Sequence, residues 1–302
     1  MPAMFLWAVS LTVQIPSELR SSVVTLLRDG RPSGQAVMVD EGLFLASGTS
    51  DGSVQALTGD NRTVTLRRVA FDGLTQLALL RGNVPGIPLR VISPNQSGPV
   101  MVVGTHGVQR GQLVSTNRLG VVGTKRRYAP LSEVRIAGQI SDLKDAVFFL
   151  DRSVAGFLVS VVDAPLVPSQ QAMNAVPFGS NLNYGPAPMS VAYLTGPDAM
   201  QRLLQTYRAG ESKVSYPYLG VMCRDARGIG AEVVSVTANS AASAAGIQSG
   251  DVIVNISGTI IKDQFDFAQT LYRLKAGDRA VVTIKRGDHT VIVAPTLGRS
   301  ED

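Results

Sequence analysis

Cysteine and histidine are nearly missing from this chain of 302 residues, which has 1 of the first and 2 of the second. A single cysteine, Cys223, excludes an internal disulfide, so stability must come from packing. It also excludes a cysteine zinc cluster, and with only His106 and His289 to add, neither a metal site nor a cofactor is expected. Long apolar runs are lacking too. None approaches the roughly 20 residues of a spanning helix, so no integral membrane span is expected. Met4–Val13 is apolar but has no preceding Lys or Arg and no clear small-x-small cleavage site. Two readings fit it: the signal segment of an exported or periplasmic protein, or a first strand or irregular lead-in of a cytoplasmic one.

Charge is sparse, at 17%, and the net charge of +5 is mild for the length. Arg67-Arg68 and Lys125-Arg126-Arg127 are basic clusters without interleaved aromatics or a binding motif, so no nucleic-acid partner is expected. What the chain does have is 45% hydrophobic residues with 30 glycines and 16 prolines, the make-up of an ordered, turn-rich β protein. From Ser21 to about Val162, short apolar runs such as Ser22–Leu27, Leu77–Leu80, Val100–Gly104 and Phe157–Val162 alternate with turn residues and show no helical period. That pattern predicts a barrel or sandwich. Residues 163–190 are rich in Pro, Asn and Gly and predict a long loop or flap. Asp198–Arg208 then reads as a helix, with Met200, Leu203, Leu204 and Tyr207 at 3/4 spacing and Gly210 at its end. A last unit follows Ser215, with strands near 218–223, 231–237, 251–256 and 279–285 and a helix at 265–275.

The most specific segment is Ser240–Gly258, S-A-A-S-A-A-G-I-Q-S-G-D-V-I-V-N-I-S-G, with Tyr218-Leu219-Gly220-Val221 ahead of it and Ala276-Gly277-Asp278 behind. It resembles the PDZ domain of HtrA/Deg proteases. In such a groove a Leu-Gly loop offers backbone N–H groups to a peptide carboxylate, and the next strand pairs with the ligand. The resemblance therefore implies peptide or protein C-termini as partners, with Tyr218, Leu219, Gly220, Val221 and Met222 as the binding residues. Leu219 and Val221 would face the helix and line its pocket. Cys223 is expected to pack rather than react.

The N-terminal part resembles the same family. Gly34–Thr49 is similar to the strand pair that delivers the catalytic histidine, and Thr75–Leu80 to the family's T-D-L-A-V-L. The resemblance implies a mainly β chain: a trypsin-like double β-barrel, a helical linker and a PDZ domain. Its divisions are a lead-in at 1–20, the barrels at 21–196, the linker at 197–215 and the PDZ domain at 216–298. A homo-oligomer, a trimer in the family, is implied as well.

The triad positions depart from the pattern. The histidine position holds Thr49, which cannot act as a general base. The acid position holds Gln76. Asp151–Val159 is similar to the nucleophile segment, with Ser153 or Val154 at the nucleophile according to the direction of counting. Asp151 falls where a glycine helps build the oxyanion hole, and a carboxylate there repels the developing charge. Asp51, Asp72 and Asp151 all read as turn residues. Two functions are thus in view. One is an inactive pseudoprotease acting as a peptide-binding scaffold or adaptor. The other is a serine endopeptidase of protein quality control with residual or re-wired activity, using Ser153 with His106.

Overall fold

A computed structural model describes residues 15–48, 52–104, 107–122, 127–137, 146–162 and 189–300. The chain forms two compact units. One comprises Met1–Phe71, Gln76–Arg118 and Leu131–Gln205, the other Asp72–Thr75, Leu119–Pro130 and Thr206–Asp302.

The first unit opens on a 3-10 turn, Ser17–Leu19. Six strands follow: β1 (Val23–Arg28), β2 (Arg31–Asp40), β3 (Leu43–Ser47), β4 (Ser53–Leu57), β5 (Thr63–Asp72) and β6 (Leu77–Arg81). They close into a barrel in the order β1-β2-β3-β6-β5-β4. Asp29 and Gly30, both at positive φ (52° and 73°), make the tight turn whose twist matches a β1–β2 hairpin. The barrel is filled by Leu26, Met38, Phe44, Leu66 and Leu80. Burial of each such side chain stabilises by about 1.5–3 kcal/mol.

The second sheet holds β7 (Arg90–Val91), β8 (Gly98–Val103), β9 (Val108–Val122), β10 (Arg127–Ala137), β11 (Val147–Leu150), β12 (Ser153–Val162) and β13 (Met189–Thr195). Its order is β11-β8-β9-β10-β13-β12-β7, and an additional β11–β12 pairing closes the ring into a second barrel. Val102, Leu113, Val134, Phe148 and Leu194 pack inside. The fold is therefore mainly β, as the turn-punctuated apolar runs predict, and a double barrel, as the family resemblance implies. The expected flap at 163–190 mostly lies outside the described residues, but its last two positions, Met189 and Ser190, are the start of β13.

Helix α1 (Pro197–Arg208) starts on a proline, tolerated in a first turn, and has Asp198 and Arg208 at the ends that suit its dipole. Beyond it lie β14 (Tyr216–Tyr218), β15 (Val221–Asp225), β16 (Ala231–Val236), α2 (Ala241–Ala244), β17 (Val252–Ile256), β18 (Thr259–Ile260), α3 (Gln264–Arg273), β19 (Val282–Arg286), β20 (His289–Val293) and β21 (Gly298–Ser300). The sheet runs β15-β16-β17-β19-β20, with β18 on β17, while β14 and β21 form a separate two-stranded sheet. The single strand expected near 218–223 is thus two, broken at Leu219-Gly220, because Gly220 takes φ +88°.

Local chemistry explains the motif at 240–258. Ser240 caps α2 by accepting from the Ser243 N–H at 3.2 Å. Asp251 accepts from the Gln248 N–H at 2.8 Å and from Arg286, tying the turn before β17 to β19. Asp263 caps α3, accepting from the N–H groups of Phe265 (2.9 Å) and Asp266 (2.7 Å).

Candidate functional site

In the first unit, β3 and β6 are paired through Ser47↔Leu77, and the Gly48 N–H donates to the Gln76 carbonyl at 3.0 Å. Gly48 and Gln76, the latter at the expected acid position, therefore lie at the same end of one strand pair. Thr49 itself lies outside the described residues, as do Asp51 and His106. Gln76 is exposed and left-handed, at φ +58°. The acid of a working triad is buried and orients an imidazole. An exposed side chain on a left-handed turn is a poor replacement.

Ser153 has a different place from the one expected of a nucleophile. It opens β12 directly after the two-residue turn Asp151-Arg152 and pairs with Leu150 across the hairpin and with Arg90 of β7. Asp151 (φ +46°) and Arg152 are exposed turn residues. A nucleophile needs a base within reach and amide N–H donors converging on the reacting atom. Ser153 instead stands in a sheet ladder, and its hydroxyl makes no hydrogen bond to Gln76. The apolar run of β12 is similar to the one that follows the family's nucleophile loop, but here it follows a hairpin turn. The segment entering β11 is 138–145, which holds Ser141 followed by Asp142-Leu143 and lies outside the described residues. The other histidine, His289, is an exposed residue of β20 in the second unit.

The second unit contains a groove. Leu219 and Gly220 form a loop whose carbonyls are engaged: Leu219 O accepts from the Ala242 N–H and Gly220 O from the Thr237 N–H, both at 2.8 Å. Neither amide of that pair donates to another backbone group among the described residues. A side chain at position 220 would collide with Ser240, so glycine is required by contact as well as by φ. Beside this loop is a cavity of about 220 Å³. Tyr218 and Val221 line it with Phe267 and Leu271 of α3, and Leu74, Tyr128 and Tyr216 are among the other lining residues.

The five expected binding residues divide between roles. Tyr218 and Val221 line the cavity, and the Tyr218 hydroxyl donates to Thr237 Oγ1 at 3.0 Å. Leu219 does not line it; at 1% exposure it belongs to the core with Val233, Ile253 and Ile284 and so anchors the loop. Met222 is 63% exposed on β15. Cys223 packs against the core, and burial pushes its thiol up to about 12, far from a reactive thiolate.

Asp72 was legible only as a turn acid, yet it is fully buried. Its Oδ2 accepts from the Tyr216 hydroxyl and from Thr75 Oγ1, both at 2.6 Å, and its Oδ1 from the Leu74 N–H at 3.0 Å. Burial raises its pKa above the ordinary value, and the bonds from Thr75, Tyr216 and the backbone only partly oppose that. The one local signal was the Asp-x-x-Thr spacing, typical of a carboxylate that folds back on its own turn.

Residues 217–294 match the family of the PDZ domain. The Serine protease Do-like HtrB of Bacillus subtilis (strain 168) is 38% identical over 79 residues, 26% of this chain and 17% of the relative. Protease Do-like 1, chloroplastic, of Arabidopsis thaliana is 26% identical over 278 residues, 84% of this chain and 60% of the relative. The chain is HtrA-like, with a C-terminal PDZ domain. Solved structures agree on the fold. The HtrA-type protease AlgW with decapeptide superposes at a TM-score of 0.69, with 15% identity over 94% of this chain and 97% of that one. The serine endoprotease from Yersinia pestis gives 0.62, with 16% identity over 95% and 100%. This HtrA-like chain spans less than two thirds of either curated relative. Among its described residues, no helix is long and apolar enough to cross a membrane.

Proposed function

We propose that this HtrA-like chain is a catalytically inactive pseudoprotease that captures the C-termini of peptides or unfolded proteins in its PDZ groove, as a scaffold or adaptor. One observation carries the reading: the Leu219-Gly220 loop, with both carbonyls satisfied and both amides turned from the backbone network, opens beside an apolar cavity of about 220 Å³. Spare N–H groups suit a terminal carboxylate, and the cavity suits the final side chain. That an HtrA-type relative was solved with a decapeptide supports the same use of the fold. The working division is barrels at 21–196, linker at 197–215 and PDZ domain at 216–298.

Loss of catalysis rests on Thr49 and Gln76 at the base and acid positions. Fluorescence anisotropy of the full chain with labelled peptides ending in a free hydrophobic carboxylate tests the binding. Gly220→Glu should abolish it, and amidated peptides should fail. If wild type binds none of a panel of such peptides, the adaptor reading is lost. The rival, a residually active endopeptidase, draws on the similarity to Do-like proteases. Fluorophosphonate labelling of any serine, Ser141 included, would establish it instead.

A further inference from the structure

We propose that the far wall of the groove cavity is Leu74, set there by Asp72, and that this pair decides which final side chain the groove accepts. The inference rests on the peptide-capture reading above and assigns the selectivity of that site.

The residues that line a PDZ groove come from the matched segment 217–294, here Tyr218 and Val221 with Phe267 and Leu271. Leu74 belongs to a stretch of chain more than a hundred positions earlier, yet it closes the same cavity at 1% exposure. Packing buries its side chain, and the turn that carries it is held as well. Asp72 supplies the constraint: one carboxylate oxygen takes the Leu74 N–H, and the other takes both the Thr75 and the Tyr216 hydroxyls. Tyr216 is itself a wall of the cavity, with its ring 5.6 Å from that of Tyr272 on α3. The carboxylate therefore fixes the four-residue turn and one aromatic wall with a single group. Asp72 touches no ligand in this scheme; it is a positioning residue that acts through Leu74.

The chemistry of the occupant follows from the lining. Five aromatic rings, with Leu74, Val221 and Leu271 among the aliphatic side chains, line a space for one large apolar group. Its depth is set by the isobutyl group of Leu74. Shortening that group should admit a bulkier ring and loosen the grip on a branched aliphatic side chain. Differences of one or two methylenes in such a pocket are worth about tenfold or more in discrimination.

The test uses the full chain and two labelled decapeptides that differ only in a final Leu or Trp, with the ratio of their dissociation constants as the readout. Leu74→Ala should shift that ratio toward Trp by about tenfold. Asp72→Ala should shift it the same way, and in the Leu74→Ala background it should add nothing, because it acts through the lost side chain. Should Asp72→Ala fail to fold, Tyr216→Phe, which removes one donor and no volume, takes its place in the cycle. The proposal is overturned if Leu74→Ala leaves the ratio within about twofold while Gly220→Glu abolishes binding, or if the two changes simply add. Failure of wild type to bind either peptide would instead remove the capture reading, and this one with it.

Discussion

Arg286 grips Asp251 side-on, its Nε 2.7 Å from Oδ1 and its Nη2 2.8 Å from Oδ2, and the same Nη2 also donates to the Gly246 carbonyl at 2.7 Å. The pair joins the motif turn before β17 to the end of β19. The carboxylate side chain is 1% exposed while the guanidinium keeps 36%, so the ion pair is half in water and its geometry matters more than its charge. Arg286→Lys, which loses the fork, should lower the melting temperature. Asp251→Ala, which also strands the Gln248 amide, should destabilise the second unit by about 3 kcal/mol in urea titrations.

That pair also sets an acid limit. Burial alone would raise the Asp251 carboxyl, but the Arg286 bonds, the Gln248 amide and the Arg286 charge outweigh it, and the pKa lies below its ordinary 3.8. Its contribution is complete above that value and is lost as pH falls through the lower, folded one. Urea midpoints should drop below about pH 4 in wild type, and the drop should shrink in Asp251→Asn.

Asp72 should give the opposite slope. Its pKa is raised from 3.8 by burial, so the folded state holds a proton that the unfolded chain has released. Stability therefore falls as pH rises from 3.8 through the folded value. Asp72→Asn has no proton to release and should flatten that part of the profile. A series of urea midpoints from mildly acidic to neutral pH, comparing wild type with this variant, separates the two carboxyls by sign.

Restoring residues should not restore chemistry. Thr49→His with Gln76→Asp returns the expected base and acid to the sequence, but Ser153 stays in its hairpin ladder. Casein digestion by the double variant should remain at the level of wild type. Ser153→Ala should leave fluorophosphonate labelling unchanged in either background. Proteolysis gained by the double variant and lost again with Ser153→Ala would show the assignment of Ser153 to be wrong.

Cys223 should be silent toward thiol reagents. With its pKa at about 12, almost no thiolate exists near neutrality. Reaction with Ellman's reagent should be slow in the native protein and rapid in denaturant, and the native rate should track local opening.

What the sequence revealed was what is local. Ser240 caps three residues ahead, Asp251 reaches back three, and the apolar faces of α1 and α3 repeat at helical spacing, so each leaves a readable trace. The barrels were readable as a class, from turn residues between apolar runs, but not in register. Ser153 shows why: β11 and β12 are both apolar, and a slide along them leaves the pattern intact while the hairpin turn fixes the pairing. The break at Gly220 needed the Ser240 contact, and the bond from Tyr216 to Asp72 joins residues 144 positions apart. No spacing rule reaches that far.

Among the described residues, Tyr216–Tyr218 has one pairing partner, Gly298–Ser300, in antiparallel register from Tyr216↔Ser300 to Tyr218↔Gly298. The approach to the Leu219-Gly220 loop is thus fastened like a zip by the far end of the same unit. A nick between Pro295 and Gly298 would leave every cavity-lining residue in the polypeptide and still unfasten the strand that presents them.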